Sequence, residues 1–255
     1  MEGEGIIGWA VASALLSLRV APLFALAPPF TLTRVPVLFR VLLGVGLAAW
    51  IVAGNPAPST VRDFSAGALA VAALGELMVG MTFVLAFQLT FGALAMAGRT
   101  VDIQAGFGLA ALVDPTTRNQ SPLVGTLFAL AAAAIFFAMN GHHDVLRLVA
   151  ASLETRPLGA GGVPETLAPL FGFISVIFLA ALGVAGAAVL GLFLADASIA
   201  MMSRTLPQMN VLVLGFQVKT LLLLVMLPIT FGFAGALLVR MLVMTLEAIP
   251  GLVAA

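Results

Sequence analysis

The sequence predicts an all-α, membrane-associated protein, and three observations carry that prediction. Of its 255 residues, 62% are hydrophobic and only 9% are charged, and mean hydropathy is +1.19. Soluble domains hold roughly 25% charged residues, so this chain cannot cover its surface with polar groups and must face lipid, other subunits, or both. Second, the apolar residues form long continuous runs, unlike the short alternating segments of a membrane barrel. Third, the runs are separated by polar, Gly- and Pro-bearing connectors. Eleven basic and eleven acidic residues cancel, which argues against a nucleic-acid partner. The absence of cysteine excludes disulfides and thiolate metal sites. The length fits one or two domains.

The elements follow in order. Met1-Glu2-Gly3-Glu4 lacks the basic region of a cleaved signal peptide, so the first run, Ile6 to Phe30, is expected to be retained. It is long enough to span, contains Arg19, and has Pro22, Pro28 and Pro29 towards its end. Val35 to Ala53 follows, with Arg40 near its start, and Asn55-Pro56-Ala57-Pro58-Ser59 reads as a loop. Phe64 to Ala97 exceeds one ordinary span: as one helix it would reach about 50 Å, against about 30 Å of hydrocarbon. Leu123 to Met139 would be about 25 Å long. Asn140 to Glu165 reads as a polar, Gly/Pro-rich connector. Leu167 to Ala195 contains no ionisable residue, and small residues recur in it at spacing four, as in Ala181/Ala185 and Gly183/Ala187, which lets backbones approach closely. Val211 to Met244 is again too long for one span and is interrupted by Lys219 and Pro228. Hydropathy alone therefore predicts about six spans. The leading segment has no Lys or Arg, which favours an N-terminus outside the cytoplasm, but the later loops add little bias.

Arg19, Glu76 and Lys219 sit well inside apolar runs. Such a residue costs roughly 2.5–3.5 kcal/mol at a bilayer centre on insertion scales. Either they lie near an interface or snorkel to it, or they are buried in protein–protein contacts against a partner charge or carbonyl. No acidic or histidine relay accompanies them.

The stretch Ala97 to Pro122, AGRTVDIQAGFGLAALVDPTTRNQSP, crowds Arg99, Asp102, Gln104, Asp114, Arg118, Asn119 and Gln120 between two apolar runs. It is far longer than a chain reversal requires, so it is read as occupying a space. Gly106 and Gly108 permit bending, Phe107, Leu109, Leu112 and Val113 could fill a narrow lumen, and Asp114-Pro115 stops a helix. Asn119, Gln120 and Ser121 tolerate water. The competing reading is a plain structured connector.

Catalytic signatures are lacking. His142-His143-Asp144 is the one histidine cluster; neighbours on a helix do not share a face, and no third ligand stands at a metal-site spacing. A polar cap after Asn140-Gly141 is the better reading. No phosphate-binding glycine pattern is present, and no Ser or Thr has a His placed to activate it. No cofactor and no metal are expected.

Four segments, in this order, are similar to one known family: LGELMVGMTFVLAFQ (Leu74 to Gln88), AGRTVDIQAGFGLAALVDP, FFAMNGHHDVLRLVAASLETRPLG and DASIAMMSRTLPQMNVLVLGFQVK. Together they resemble the FliR family of flagellar export proteins, which includes the matching subunit of injectisome type III secretion systems. The resemblance runs from about Leu15 to Met244. It implies a non-enzymatic subunit of an export gate in the bacterial inner membrane, at the centre of the flagellar basal body. Implied partners are FliP-like and FliQ-like gate subunits, cytoplasmic export components and lipid, with unfolded secreted proteins as substrates. Residues 1–158 would be the FliP-like part and 159–255 a FliQ-like hairpin. The family's loop between central helices, which projects into the pore and helps close it, maps to Gly106 through Pro122. The turn Ser203 to Asn210 maps to the cytoplasmic side. Arg19, Glu76, Asp102, Gln104, Arg204, Gln208, Asn210 and Lys219 are the expected subunit contacts, Lys219 against an acidic group of a partner. No basic tail follows Met244, so a tail contact with the cytoplasmic component is not expected. The alternatives are an injectisome subunit of the same family and an ion-coupled secondary transporter built on broken helices.

Overall fold

The computed structural model describes residues 2–32, 35–54, 65–107, 122–160, 166–205 and 211–254. Its long elements are α1 (Glu2–Leu26), α2 (Val37–Gly54), α3 (Ala66–Gln104), α4 (Leu123–Ala138), α5 (Gly141–Thr155), α6 (Ala168–Thr205) and α7 (Val211–Ala254). A short 3-10 turn, Phe30–Leu32, follows α1. Among the described residues there is no strand, so the all-α expectation holds. Among the described residues, five helices are long and apolar enough to cross a membrane, or six if α4 and α5 count as one bent span.

The long apolar runs become single helices. At 1.5 Å per residue, α3 measures about 58 Å, α6 about 57 Å and α7 about 66 Å, roughly twice a hydrocarbon core. Lys219 and Pro228 do not interrupt α7, which continues past Met244 through Pro250 to Ala254. Apolar helices tolerate proline where neighbouring groups satisfy the freed carbonyl. The connector expected over Asn140 to Glu165 is half helical. In α5, Gly141, Val145, Val149 and Leu153 recur every four residues and are buried, while His143, Arg147 and Glu154 face outward. Asn140 enters α5 with φ 60°, in the left-handed region. Gly141 is required beside it, because a Cβ there would lie 2.5 Å from the Phe136 ring.

The helices pack into two compact units of discontinuous chain. The first comprises residues 1–89, 136–174 and 243–255; the second comprises 90–135 and 175–242. In the first unit, Leu16, Val20 and Leu23 of α1 are fully buried. Phe30 and Phe87 both meet the Phe136 ring, at 6.0 and 5.6 Å between centroids, in the edge-to-face geometry that aromatic pairs prefer. The carbonyls at the end of α1 have no intrahelical donor; Arg40 Nη1 supplies one to Ala25 O (2.9 Å) and Gln88 Nε2 one to Leu26 O (2.8 Å). In α2, Gly44 stacks on Ala21 so closely that a Cβ would lie 2.6 Å from the Ala21 Cα. The second unit buries Leu94, Val101, Phe128, Ile177, Leu192 and Leu223, with Phe128 edge-on to Phe231 at 5.5 Å.

Large apolar side chains nevertheless remain outside. Trp50 on α2 is 73% exposed, Leu179 on α6 73%, and Phe233 on α7 73%. Such faces need lipid or another protein against them.

Candidate functional site

Two crossings on α3 hold the polar groups that matter. The first lies in the first unit. At Gly80 an ideal Cβ would sit 2.6 Å from Arg19 O and 2.9 Å from Leu18 O. Pro22 lacks the N–H that would have bonded the Leu18 carbonyl, so the glycine meets α1 where its backbone is least screened. The close approach brings Glu76, one turn before Gly80, to Arg19. Arg19 Nε donates to Glu76 Oε2 at 2.7 Å, Nη1 to Ser152 Oγ at 2.9 Å and Nη2 to the Arg156 carbonyl at 3.1 Å. Glu76 Oε1 accepts the Gly159 N–H at 3.0 Å, and Ser152 Oγ donates to Val149 O at 2.6 Å. Arg19 and Glu76 are each 1% exposed. A buried charge is tolerable only when paired and hydrogen-bonded, and this network meets that condition while tying α1, α3, α5 and the turn after α5 together.

The second crossing lies in the second unit, where α3 ends and α4 begins. A Cβ on Gly98 would lie 2.2 Å from the Gly125 Cα, and one on Gly125 would lie 2.9 Å from Ala95 O. One turn beyond Gly98, the Asp102 carboxylate is 5% exposed and accepts the Val124 N–H with both oxygens, each at 3.2 Å. Val124 stands in the first turn of α4, whose amides have no intrahelical acceptor and form the positive end of the helix dipole. Gly106 leaves α3 with φ 89°, a conformation L side chains avoid, and a Cβ there would lie 3.0 Å from the Phe216 ring of α7.

Of the expected plug residues, Gly106 and Phe107 are described, both half-buried. Gly108, Leu109, Leu112, Val113, Asp114, Pro115, Arg118, Asn119 and Gln120 lie outside the described residues. So do Gln208 and Asn210. Arg204 is exposed in the last turn of α6. Gln104 is half-buried, and its Oε1 has no hydrogen-bond partner among the described residues. The acidic partner sought for Lys219 lies in the same chain: Nζ pairs with Asp196 Oδ1 on α6. The charge sought for Arg19 is likewise internal, Glu76. His142 and His143 sit in the first turn of α5 with ring centroids 4.2 Å apart. Among the described residues no three His, Cys, Asp or Glu side chains converge as a metal site would require. Sequence reasoning missed Ser152, Gly159 and Asp196 as partners. A usable signal was present on α3: Glu76–Gly80 and Gly98–Asp102 each set a glycine four residues from an acid, which puts both on one helix face.

Residues 10–244 match the sequence pattern of the bacterial export proteins, family 1. The chain belongs to that family. It is the family of the flagellar FliR proteins and their injectisome counterparts. The chain is 27% identical to the flagellar biosynthetic protein FliR of Bacillus subtilis, over 98% of each protein. It is 28% identical to FliR of Escherichia coli over 78% of this chain and 76% of that one. It is 29% identical to the Yop proteins translocation protein T of Yersinia pestis over 57% of each. Membership of a type III export family with several apolar, span-length helices makes this a membrane protein of an export apparatus.

Proposed function

We propose that the chain is the FliR-type subunit of a flagellar type III export gate in the inner membrane of the basal body. It completes a helical pore with FliP-like and FliQ-like subunits, meets cytoplasmic export components, and passes unfolded proteins without catalysing a reaction. Residues 1–158 serve as the FliP-like part and 159–255 as the FliQ-like hairpin. The segment from Gly106 to Pro122 plugs the lumen. The family match over residues 10–244 carries the reading. The apolar side chains left exposed on α2, α6 and α7 support it, because a gate subunit needs sister proteins against such faces. Near-complete coverage of the Bacillus FliR, against 57% of the Yersinia protein, favours the flagellar role over the injectisome one.

The plug reading follows from physical requirements. A closed gate must exclude ions yet yield to a passing chain. Apolar residues such as Leu109, Leu112 and Val113 meet that need better than a salt-bridged lock, because dispersion contacts are individually weak and re-form without a fixed partner. Native mass spectrometry after gentle detergent extraction tests the assembly: companion subunits in fixed ratio are expected, and a lone monomer with small-solute uptake overturns it. Deleting residues 109–113 tests the plug: ion leakage should rise while the complex still assembles.

A further inference from the structure

Helix α3 buries most of its circumference: Ala72, Val79, Phe83, Phe87, Leu94 and Val101 are all inside. What remains outside is one narrow stripe. Leu74, Met78, Met81 and Leu85 are exposed at steps of four, three and four residues, and Gly92, Met96, Arg99 and Ile103 continue at the same steps. Such steps keep residues on one helix face, and a stripe this narrow is the seam of a helix pair, not the wide belt that lipid wets. Length points the same way. From Val71 to Ile103, both exposed, the stripe runs about 48 Å along the helix, against about 30 Å of hydrocarbon. A bilayer set against either end leaves apolar side chains of the other end in water.

Two residues within the stripe say what covers it. A Cβ on Gly92 would meet nothing within 4 Å, whereas Gly80 and Gly98 are required by the chain's own packing. A glycine inside a helix is destabilising unless something needs it, and this one suits the close approach of a backbone from outside the chain. Arg99 is exposed, and no acid among the described residues pairs with it. Two copies of this chain laid α3 to α3 do not supply one. The acids of α3, Glu76 and Asp102, are both buried, so an antiparallel pair sets Arg99 against apolar residues and a parallel pair sets it against another Arg99. We infer that the stripe seats a long apolar helix of a different, companion gate subunit, which passes closest at Gly92 and carries a carboxylate opposite Arg99. The inference rests on the gate reading. That helix needs about 30 residues to cover the stripe and crosses α3 at about 20°. The flexible side chains of Met78, Met81 and Met96 fit its ridges.

The test uses the full gate, with this chain carrying one change at a time. Gly92→Leu fills space that is open in the chain alone, so the chain's unfolding midpoint should be no lower than the parent's, while recovery of companion subunits on co-purification falls about tenfold. Gly8→Leu, at a glycine of α1 whose Cβ also meets nothing, should leave recovery as in the parent. Arg99→Glu sets like charges together and should lower recovery as well. A photo-cross-linking residue placed at Val71, Met81 or Ile103 should form adducts with a companion subunit from all three positions, and these adducts decide should Gly92→Leu fail to fold. Adducts with lipid alone, with a second copy of this chain, or with a companion from fewer than three positions overturn the inference. So does undiminished recovery with Gly92→Leu, or an equal loss with Gly8→Leu. Undiminished recovery with Arg99→Glu overturns the opposing carboxylate. A parent chain that brings down no companion subunit overturns the gate reading itself, and this inference with it.

Discussion

The two crossings of α3 use the same parts to different ends. Each sets a glycine four residues from an acid, and each lets the glycine touch a neighbouring backbone while the acid is buried. At Glu76 the acid meets a guanidinium, a backbone amide and, through Arg19, a hydroxyl and a carbonyl, so four segments are fastened at one point. At Asp102 the acid meets backbone amides at the start of α4, that of Val124 at the longer distance of 3.2 Å with either oxygen and that of Gly125 beside it. The first is a knot whose removal leaves charge stranded in the interior. The second is a cap, worth less energy, at the start of α4.

The largest effect is expected from breaking the knot on one side only. Arg19→Ala leaves Glu76 buried without its cation, which should destabilise the chain by about 3–5 kcal/mol. Thermal unfolding in detergent should show a large fall in midpoint. Combining Arg19→Met with Glu76→Gln should recover much of that loss, since no charge is then stranded while the glutamine can still accept the Gly159 N–H. If the single and double variants unfold alike, the knot is ordinary packing and the comparison fails.

Next come the glycines. Gly80→Ala and Gly98→Ala each force a Cβ into a neighbouring backbone, at 2.6 and 2.2 Å. Overpacking of this kind costs about 1–3 kcal/mol. The crossings should respond differently. Gly98→Ala should expose the Val124 amide to hydrogen exchange, because it pushes α4 away from Asp102, whereas Gly80→Ala should lower stability and leave that amide protected. Equal loss of Val124 protection from the two would erase the distinction between knot and cap.

How much of this was legible beforehand depended on whether the signal was local. Val35 to Ala53 became Val37–Gly54, and Leu123 to Met139 became Leu123–Ala138, because a continuous apolar run both favours a helix and marks its ends. Helix α5 escaped notice because its content is polar; only the four-residue spacing of Val145, Val149 and Leu153 betrays it. Helices α6 and α7 run past their apolar stretches, through Asp196 and Glu247, because their length exceeds one bilayer and the overhang need not be apolar. The residues of the knot could be suspected singly, since a charge inside an apolar run demands a partner. Their pairing could not, because 57 residues separate Arg19 from Glu76 and 133 separate it from Ser152. The cap was hidden for another reason: the partner of its carboxylate is a backbone N–H donor, which every residue but proline possesses.

The smallest effect is expected at Lys219, and it sharpens the comparison from the other side. Its ammonium pairs with Asp196 across the α6–α7 hairpin, but the two side chains retain 20% and 44% exposure. Partly solvated pairs contribute about 0–1 kcal/mol, because water already stabilises both ions and two long side chains must be held still. Lys219→Ala should therefore shift the unfolding midpoint little, far less than Arg19→Ala, although both remove a cation from an apolar run. Exposure, and not the hydropathy of the surrounding sequence, then decides what a charge inside an apolar run is worth here. The same variant asks whether the pair serves a second purpose. If Lys219→Ala leaves the chain stable yet lowers recovery of companion subunits on co-purification, the exposed side of that ammonium is shared with a neighbour. If stability and recovery are both unchanged, the Asp196 pair accounts for Lys219, and no acid from another subunit is needed to explain a lysine in so apolar a helix.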